Sequence, residues 1–195
     1  MTKIITSSIS HTYEINKSKF ICILCPFHMF EETMEELKVE HPKGRHFVYA
    51  YRHLNEFDQV VENQSDDGEP KGSSGPPSLS VLRGEELIET AAIIVRYFGG
   101  IKLGVGGLVR AYGKSVHLAL EEAKESQLIQ KYIKQVEAEY KIEIQKLGKV
   151  EHFLKGLNDL IVEKNFLGVE VIFKIKATDS QHIEIEKFFE NLQYS

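Results

Sequence analysis

Five glycines fall within nine positions, at Gly99, Gly100, Gly104, Gly106 and Gly107, and this cluster constrains the fold more than any other stretch of the chain. Ordering a glycine costs more backbone entropy than ordering any other residue, so such a cluster marks special dihedrals or a very close backbone approach. Ahead of it the β-branched run Ile93, Ile94, Val95 predicts a strand, followed by Tyr97 and Phe98. Behind it Leu108, Tyr112, Val116, Ala119 and Ala123 form one apolar stripe, which predicts a helix from about Leu108 to Ser126. Residues 92–112 thus read as strand, glycine loop and helix N-terminus, with Arg96, Lys102 and Arg110 along them. Free N–H groups at a helix N-terminus favour anions. A backbone-lined site for a phosphate or another anionic group is one reading. Tight packing of the strand against the helix is the other.

The familiar phosphate patterns fail on named residues. Gly99 to Gly104 has the spacing that opens a P-loop, but Val105-Gly106 stands where Lys-Ser/Thr is needed. Gly113-Lys114-Ser115 has the right ending, with Leu108 in place of the first glycine. Gly104-Val105-Gly106 begins a dinucleotide fingerprint, with Val109 in place of the third glycine. Nucleotide hydrolysis and dinucleotide chemistry are therefore disfavoured.

The other irregular stretch is residues 63–77, rich in Gly, Pro, Ser and Asp. It lies between apolar elements that need each other as partners, which favours an ordered functional loop over a linker. Asp66-Asp67-Gly68-Glu69 within it does not match a calcium loop, and a turn with side-chain hydrogen bonds is the alternative to a metal site. Ser73, Ser74 and Ser78 lack a nucleophile-elbow context.

Elsewhere, alternation predicts strands at Ile9–Ile15, Phe20–Leu24 and Arg45–Arg52, with Val60 to Glu62 as an edge. Lys17-Ser18-Lys19 is a polar break between the first two strands. Helices are expected over Phe27–Glu40 and Pro77–Leu87. On the third strand Arg45, Phe47 and Tyr49 share one face, and His46, Val48, Ala50 and Arg52 the other. A His and an Arg on one face suit phosphate contact or a solvated sheet surface. Cys22 and Cys25 form a lone C-x-x-C on a predicted strand, where residues three apart point to opposite faces, so both read as reduced core residues. From about Tyr132 the pattern restarts as strand, helix, strand, strand, helix, which predicts a small α+β unit. The domain boundary is expected after residue 128, giving domains 1–128 and 129–195. The net charge of −5 excludes general polyanion binding and leaves only a local basic patch. The polar N-terminus and the lack of about 18 consecutive apolar residues predict no signal peptide and no membrane helix, hence a cytoplasmic protein.

Taken together, four segments resemble the IMPACT family in its bacterial, YigZ-type branch. They are Glu14-Ile15-Asn16-Lys17-Ser18-Lys19-Phe20, Arg45-His46 with Tyr49-Ala50-Tyr51-Arg52, Ser65-Asp66-Asp67-Gly68-Glu69-Pro70 with Gly72 and Gly75, and the signature from Arg96-Tyr97-Phe98-Gly99-Gly100 to Arg110-Ala111-Tyr112. Ser73-Ser74 depart from the family's usual Thr-Ala. Bacterial relatives tend to carry a further terminal strand, so the second sheet is expected to lack an edge.

The resemblance implies an α+β chain. Its first domain would be of the ribosomal protein S5 domain-2-like fold and its second a ferredoxin-like βαββα domain, similar to the fourth and fifth domains of the elongation factor that drives translocation. It further implies a non-enzymatic regulator of translation whose partner is RNA, the ribosome or a translation-regulatory protein. No cofactor, metal or catalytic residue is expected. The expected anion or nucleic-acid contacts are Arg45, His46, Arg52, Asp66, Asp67, Glu69, Arg96, Tyr97, Gly99, Gly100, Lys102, Gly104, Gly106, Gly107 and Arg110. Two alternatives stay open. One is an enzyme acting on a phosphorylated small molecule in the same groove, with His46, Asp66, Asp67 and Glu69 converging in a deep pocket. The other is a protein-interaction module in which both loops are structural.

Overall fold

The computed structural model describes residues 2–193. Strand β6 (Thr90–Tyr97) is buried from Thr90 through Arg96 and runs through the middle of a five-stranded antiparallel sheet. The sheet order is β2 (Ile9–Ile15), β3 (Ser18–Pro26), β6, β4 (His46–Leu54), β5 (Val60–Ser65). Because successive side chains on a strand alternate, β6 serves two cores. Ala92 and Ile94 join the core under helices α2 (Gly75–Gly84) and α3 (Val105–Glu125). Ala91, Ile93 and Val95 join the core under α1 (Phe30–Glu40), which follows a single 3₁₀ turn at Phe27–Met29. Each fully buried aliphatic side chain contributes about 1.5–3 kcal/mol, and a strand covered on both faces explains why the run reads as continuously apolar rather than alternating.

Several boundaries differ from the sequence reading. Lys17-Ser18-Lys19 is not a break: only Asn16 and Lys17 form the turn, both left-handed with φ of 48° and 62°, and Ser18 already pairs with Ile15. Helix α2 starts two residues before Pro77 and ends at Gly84, and α3 starts at Val105 rather than Leu108. Two three-residue strands were not expected. They are β1 (Lys3–Ile5) and β7 (Ile129–Lys131), and they pair antiparallel. That pairing carries the first compact unit through Tyr132, four residues beyond the expected boundary, and the second begins at Ile133.

Cys22 faces the α2/α3 core and Cys25 the α1 core, so they point to opposite faces as the strand period requires. Both thiols are free and buried, and burial pushes Cys25 up to about 11 and Cys22 further still. No group of three or more His, Cys, Asp or Glu among the described residues could hold a metal ion. No helix among them is long and apolar enough to cross a membrane.

The second unit is mixed α and β. A three-stranded antiparallel sheet has the order β8 (Val136–Glu143), β10 (Glu170–Ala177), β9 (Ile161–Leu167) among the described residues. Helices α4 (Leu147–Leu154) and α5 (Asp179–Gln193) share one core with Tyr140, Ile142, Val171, Phe173 and Ile175. The opposite face is charged: Lys174 pairs with Glu139 and Lys176 with Glu137 across β10 and β8. Buried His182 is a core residue. Its Nε2 donates to the Val136 carbonyl (2.7 Å), leaving Nδ1 to accept from the Tyr140 hydroxyl (2.6 Å).

Gly99 sits directly on the β2–β3 turn, where an added Cβ would lie 2.0 Å from the Lys17 carbonyl carbon. Gly99→Ala is expected to cost about 2–3 kcal/mol by overpacking and to lower the melting temperature by roughly 5–10 °C. An unchanged melting curve would show that this contact does not hold the loop.

Candidate functional site

The β-ladder register builds the floor of the site. Arg96 on β6 is the Cα partner of Phe20 on β3 and of His46 on β4, so the three side chains form one row on the α2/α3 face. Tyr112 of α3 meets the Phe20 ring edge-on, with centroids 5.0 Å apart at 87°. Glu69, from the loop between β5 and α2, completes the cluster. Its Oε1 accepts hydrogen bonds from Arg96 Nη1 and from the Tyr112 hydroxyl, the latter at 2.8 Å, and lies 3.9 Å from His46 Nε2. Arg96 is 6% exposed and Glu69 8%. Burial, then the Glu69 charge, pushes the Tyr112 phenol above its ordinary range, so it remains a donor. The Arg96 guanidinium lies 5.5 Å from the Phe20 ring centre and 5.8 Å from that of Phe98, a cation–π arrangement on both.

The Ser65–Gly75 loop is held in place by its own acids. The Asp66 carboxylate accepts from the amides of Gly72 (2.7 Å), Ser74 (3.0 Å) and Gly75 (2.9 Å) and from the Ser74 hydroxyl (2.7 Å). Burial pushes this carboxyl up, but those hydrogen bonds outweigh it and hold the group below the ordinary carboxylate range. Asp67 Oδ2 accepts from the Phe47 amide, and the Asp67 carbonyl accepts from His46 Nδ1 (2.7 Å). A carbonyl only accepts, so Nδ1 carries a proton, and the ring is held with Nε2 on the Glu69 side. Gly68 turns the chain at φ +81° against the His46 ring.

A cleft of about 460 Å³ opens above this floor, with the two loops as its walls. Arg45, His46, Gly68, Glu69 and Pro70 line one side. Arg96, Phe98, Lys102, Leu103 and the first residues of α3 line the other. Gly104, with φ +69°, caps α3, where no side chain hydrogen-bonds the cap and the first turn holds no acidic residue. The positive end of this 21-residue helix therefore faces the cleft uncompensated. Arg45 and Lys102 are exposed, and neither makes an ion pair among the described residues.

Of the expected contact residues, Arg45, His46, Glu69, Arg96, Lys102 and Gly104 line the cleft. The rest do not line it, although Gly106 and Gly107 lie in the first turn of α3 beside it. Arg52 bonds Glu62 (2.7 Å) and the Leu87 carbonyl (2.8 Å). The Asp66 and Asp67 carboxylates turn into their own loop and onto β4, so the four acid and histidine side chains do not converge. Tyr97 points to the α1 face, its hydroxyl 3.1 Å from His41 Nδ1. Gly99 packs on the hairpin turn, and Gly100 holds a left-handed bend at φ +84°. Gly106 and Gly107 form the first turn of α3, where Gly107 packs on Leu103. Arg110 is exposed and folds back toward Gly106. The residues that sequence reasoning missed are Tyr112, hidden within an apolar stripe, and the apolar wall of Phe98, Leu103, Val105 and Pro70.

The Impact N-terminal domain family matches residues 16–120. The Bacillus subtilis IMPACT family member YvyE is 37% identical over 188 residues, spanning 92% of this chain and 76% of the relative. The Escherichia coli IMPACT family member YigZ is 43% identical over 112 residues, spanning 56% of this chain and 55% of that one. A crystal structure described as that of a hypothetical protein superposes with a TM-score of 0.71 at 30% identity, covering 98% of this chain and 92% of the other.

The Asp66 clasp generates a pH signature. A carboxyl held low in the fold contributes stability that is full above the unfolded-chain pKa of about 3.9 and is lost as pH falls through the lower folded value. Asp66→Asn is expected to flatten the acid limb of the stability–pH curve below about pH 4, measured by urea midpoints. An acid limb as steep as the parent's would show that the clasp does not stabilise the loop.

Proposed function

Because the chain belongs to the IMPACT family, we propose that it is a cytoplasmic regulator of translation that engages RNA, the ribosome or a ribosome-associated protein through the cleft of its first unit. In this reading the first unit is an S5 domain-2-like module and the second a ferredoxin-like one. A five-stranded sheet under α2 and α3, followed by a βαββα unit, supports the pairing. The observation that carries the site is a single cleft lined by two exposed cations, Arg45 and Lys102, which make no ion pair among the described residues, and by the first residues of α3, whose N-terminus no side chain caps. Phosphate or carboxylate groups suit that combination, and side chains and amides of this kind position a backbone rather than read a sequence.

The test uses the two exposed cations, because removing Arg96 would orphan buried Glu69 and confound binding with folding. Single-stranded RNA and ribosomes are titrated against the parent and the Arg45→Ala, Lys102→Ala double variant over a salt series. Affinity is expected to fall with salt, and the double variant is expected to reduce the log–log slope by about 1.4 for RNA. Absence of binding at low salt, or an unchanged slope, rejects the proposal.

One observation favours a second reading, an enzyme acting on a phosphorylated small molecule. His46 lines the cleft with its ring fixed through Nδ1–H on the Asp67 carbonyl, an anchoring that leaves Nε2 as the nitrogen for acid–base work. A screen of phosphorylated metabolites by thermal shift, followed by turnover assays, separates the two. Turnover abolished by His46→Gln in a folded variant supports the enzyme. Stabilisation by no metabolite rejects it.

A further inference from the structure

The positive footprint of the cleft is narrow. Arg52, the basic side chain that would have extended it along the sheet, is committed to Glu62 and the Leu87 carbonyl, and the chain as a whole carries net charge −5. Proteins that track a nucleic-acid strand present a continuous basic groove with repeated stacking platforms. Here two exposed cations stand on opposite walls of one small cleft that opens at the start of α3, and apolar side chains line the same cleft. Phe98 is 43% exposed and Val105 57%, and both line the cleft with Pro70 and Leu103. A helix N-terminus alone does not make a ligand site. The second observation is Arg96, which lines the same cleft, is 6% exposed, and has an Nε with no hydrogen-bond partner among the described residues. A buried guanidinium donor left unpaired is costly, and its Nη1 partner Glu69 is shared with Tyr112.

We infer that the cleft takes a single nucleotide bearing a terminal phosphate, an inference that rests on the anion-binding reading above. The phosphomonoester lies at the first-turn amides of α3 between Arg45 and Lys102. The glycines at 104, 106 and 107 leave that approach free of side chains. The base lies against Phe98, whose opposite side is backed by the Arg96 guanidinium. The volume, about 460 Å³, suits one small ligand. The same chemistry is found in a free nucleoside monophosphate and in the phosphorylated end of an RNA strand.

Calorimetric or anisotropy titrations distinguish these sources and test the inference. The probes are inorganic phosphate, adenosine, AMP, UMP, and one short RNA with a 5′-phosphate, a 3′-phosphate or neither. Terminally phosphorylated RNA or the monophosphates are expected to bind about tenfold more tightly than their unphosphorylated counterparts. Tighter binding of phosphorylated RNA than of the monophosphates assigns the strand end, and the reverse assigns the free nucleotide. Phe98→Ala is expected to weaken nucleotide binding about fivefold or more and to leave inorganic phosphate binding unchanged. Lys102→Ala is expected to weaken both. Equal affinity for phosphorylated and unphosphorylated RNA overturns this inference and leaves RNA binding standing. Binding of inorganic phosphate with no gain from the nucleoside overturns the base contact. Absence of binding by every probe overturns this inference and the RNA arm of the proposed function, while the ribosome titration judges that function separately.

Discussion

A carboxylate and a guanidinium buried side by side lose hydration worth about several kcal/mol each, and the loss is offset only when both are well paired. Glu69 and Arg96 meet that condition with help from Tyr112. Three elements are tied at one oxygen: the end of β6, the loop ahead of α2, and the second turn of α3. The pair therefore does more than hold charge. It fixes the distance between the two walls of the cleft, since one wall carries Glu69 and the other follows Arg96. Removing either partner leaves the other buried and uncompensated, so the cleft and the local fold stand or fall together.

Around this floor, labour is divided between residues that look alike on paper. Asp66 and Asp67 are neighbours of Glu69 and carry the same charge, yet both are spent on shaping the loop. Glycines divide in the same way. Gly99 and Gly100 belong to the packing and bending of the chain, while Gly104 ends a loop and opens a helix toward the cleft. The question posed by the glycine cluster, packing or ligand approach, is answered position by position.

Much of the architecture was legible because it rests on periodicity. The β6 run, the α3 stripe and the βαββα order of the second unit all follow from apolar spacing. Strands β1 and β7 were not legible, because three residues carry no period and their pairing joins Ile5 to Ile129. Six of the residues expected to contact an anion do line the cleft, but the role of each was not legible. Arg52 reads like Arg45 until the register sets it opposite Glu62 on β5. Tyr112 reads as one more apolar position until Glu69 reaches its hydroxyl. In both cases the missing information is a partner remote in sequence.

The two-sided burial of β6 restricts how this chain can change length. Its odd and even positions belong to different cores, and Arg96 sits at the end of one of those sets. Inserting or deleting one residue within 90–95 would exchange the sets, turn Arg96 toward α1 and remove the cleft floor without altering any residue that lines it. The tip of the β4–β5 hairpin is different. It is closed by the Asn55 side chain on the amides of Phe57 and Gln59 and belongs to neither core. Added residues are absorbed there, whereas the spacing along β6 is as much a part of the site as the side chains themselves.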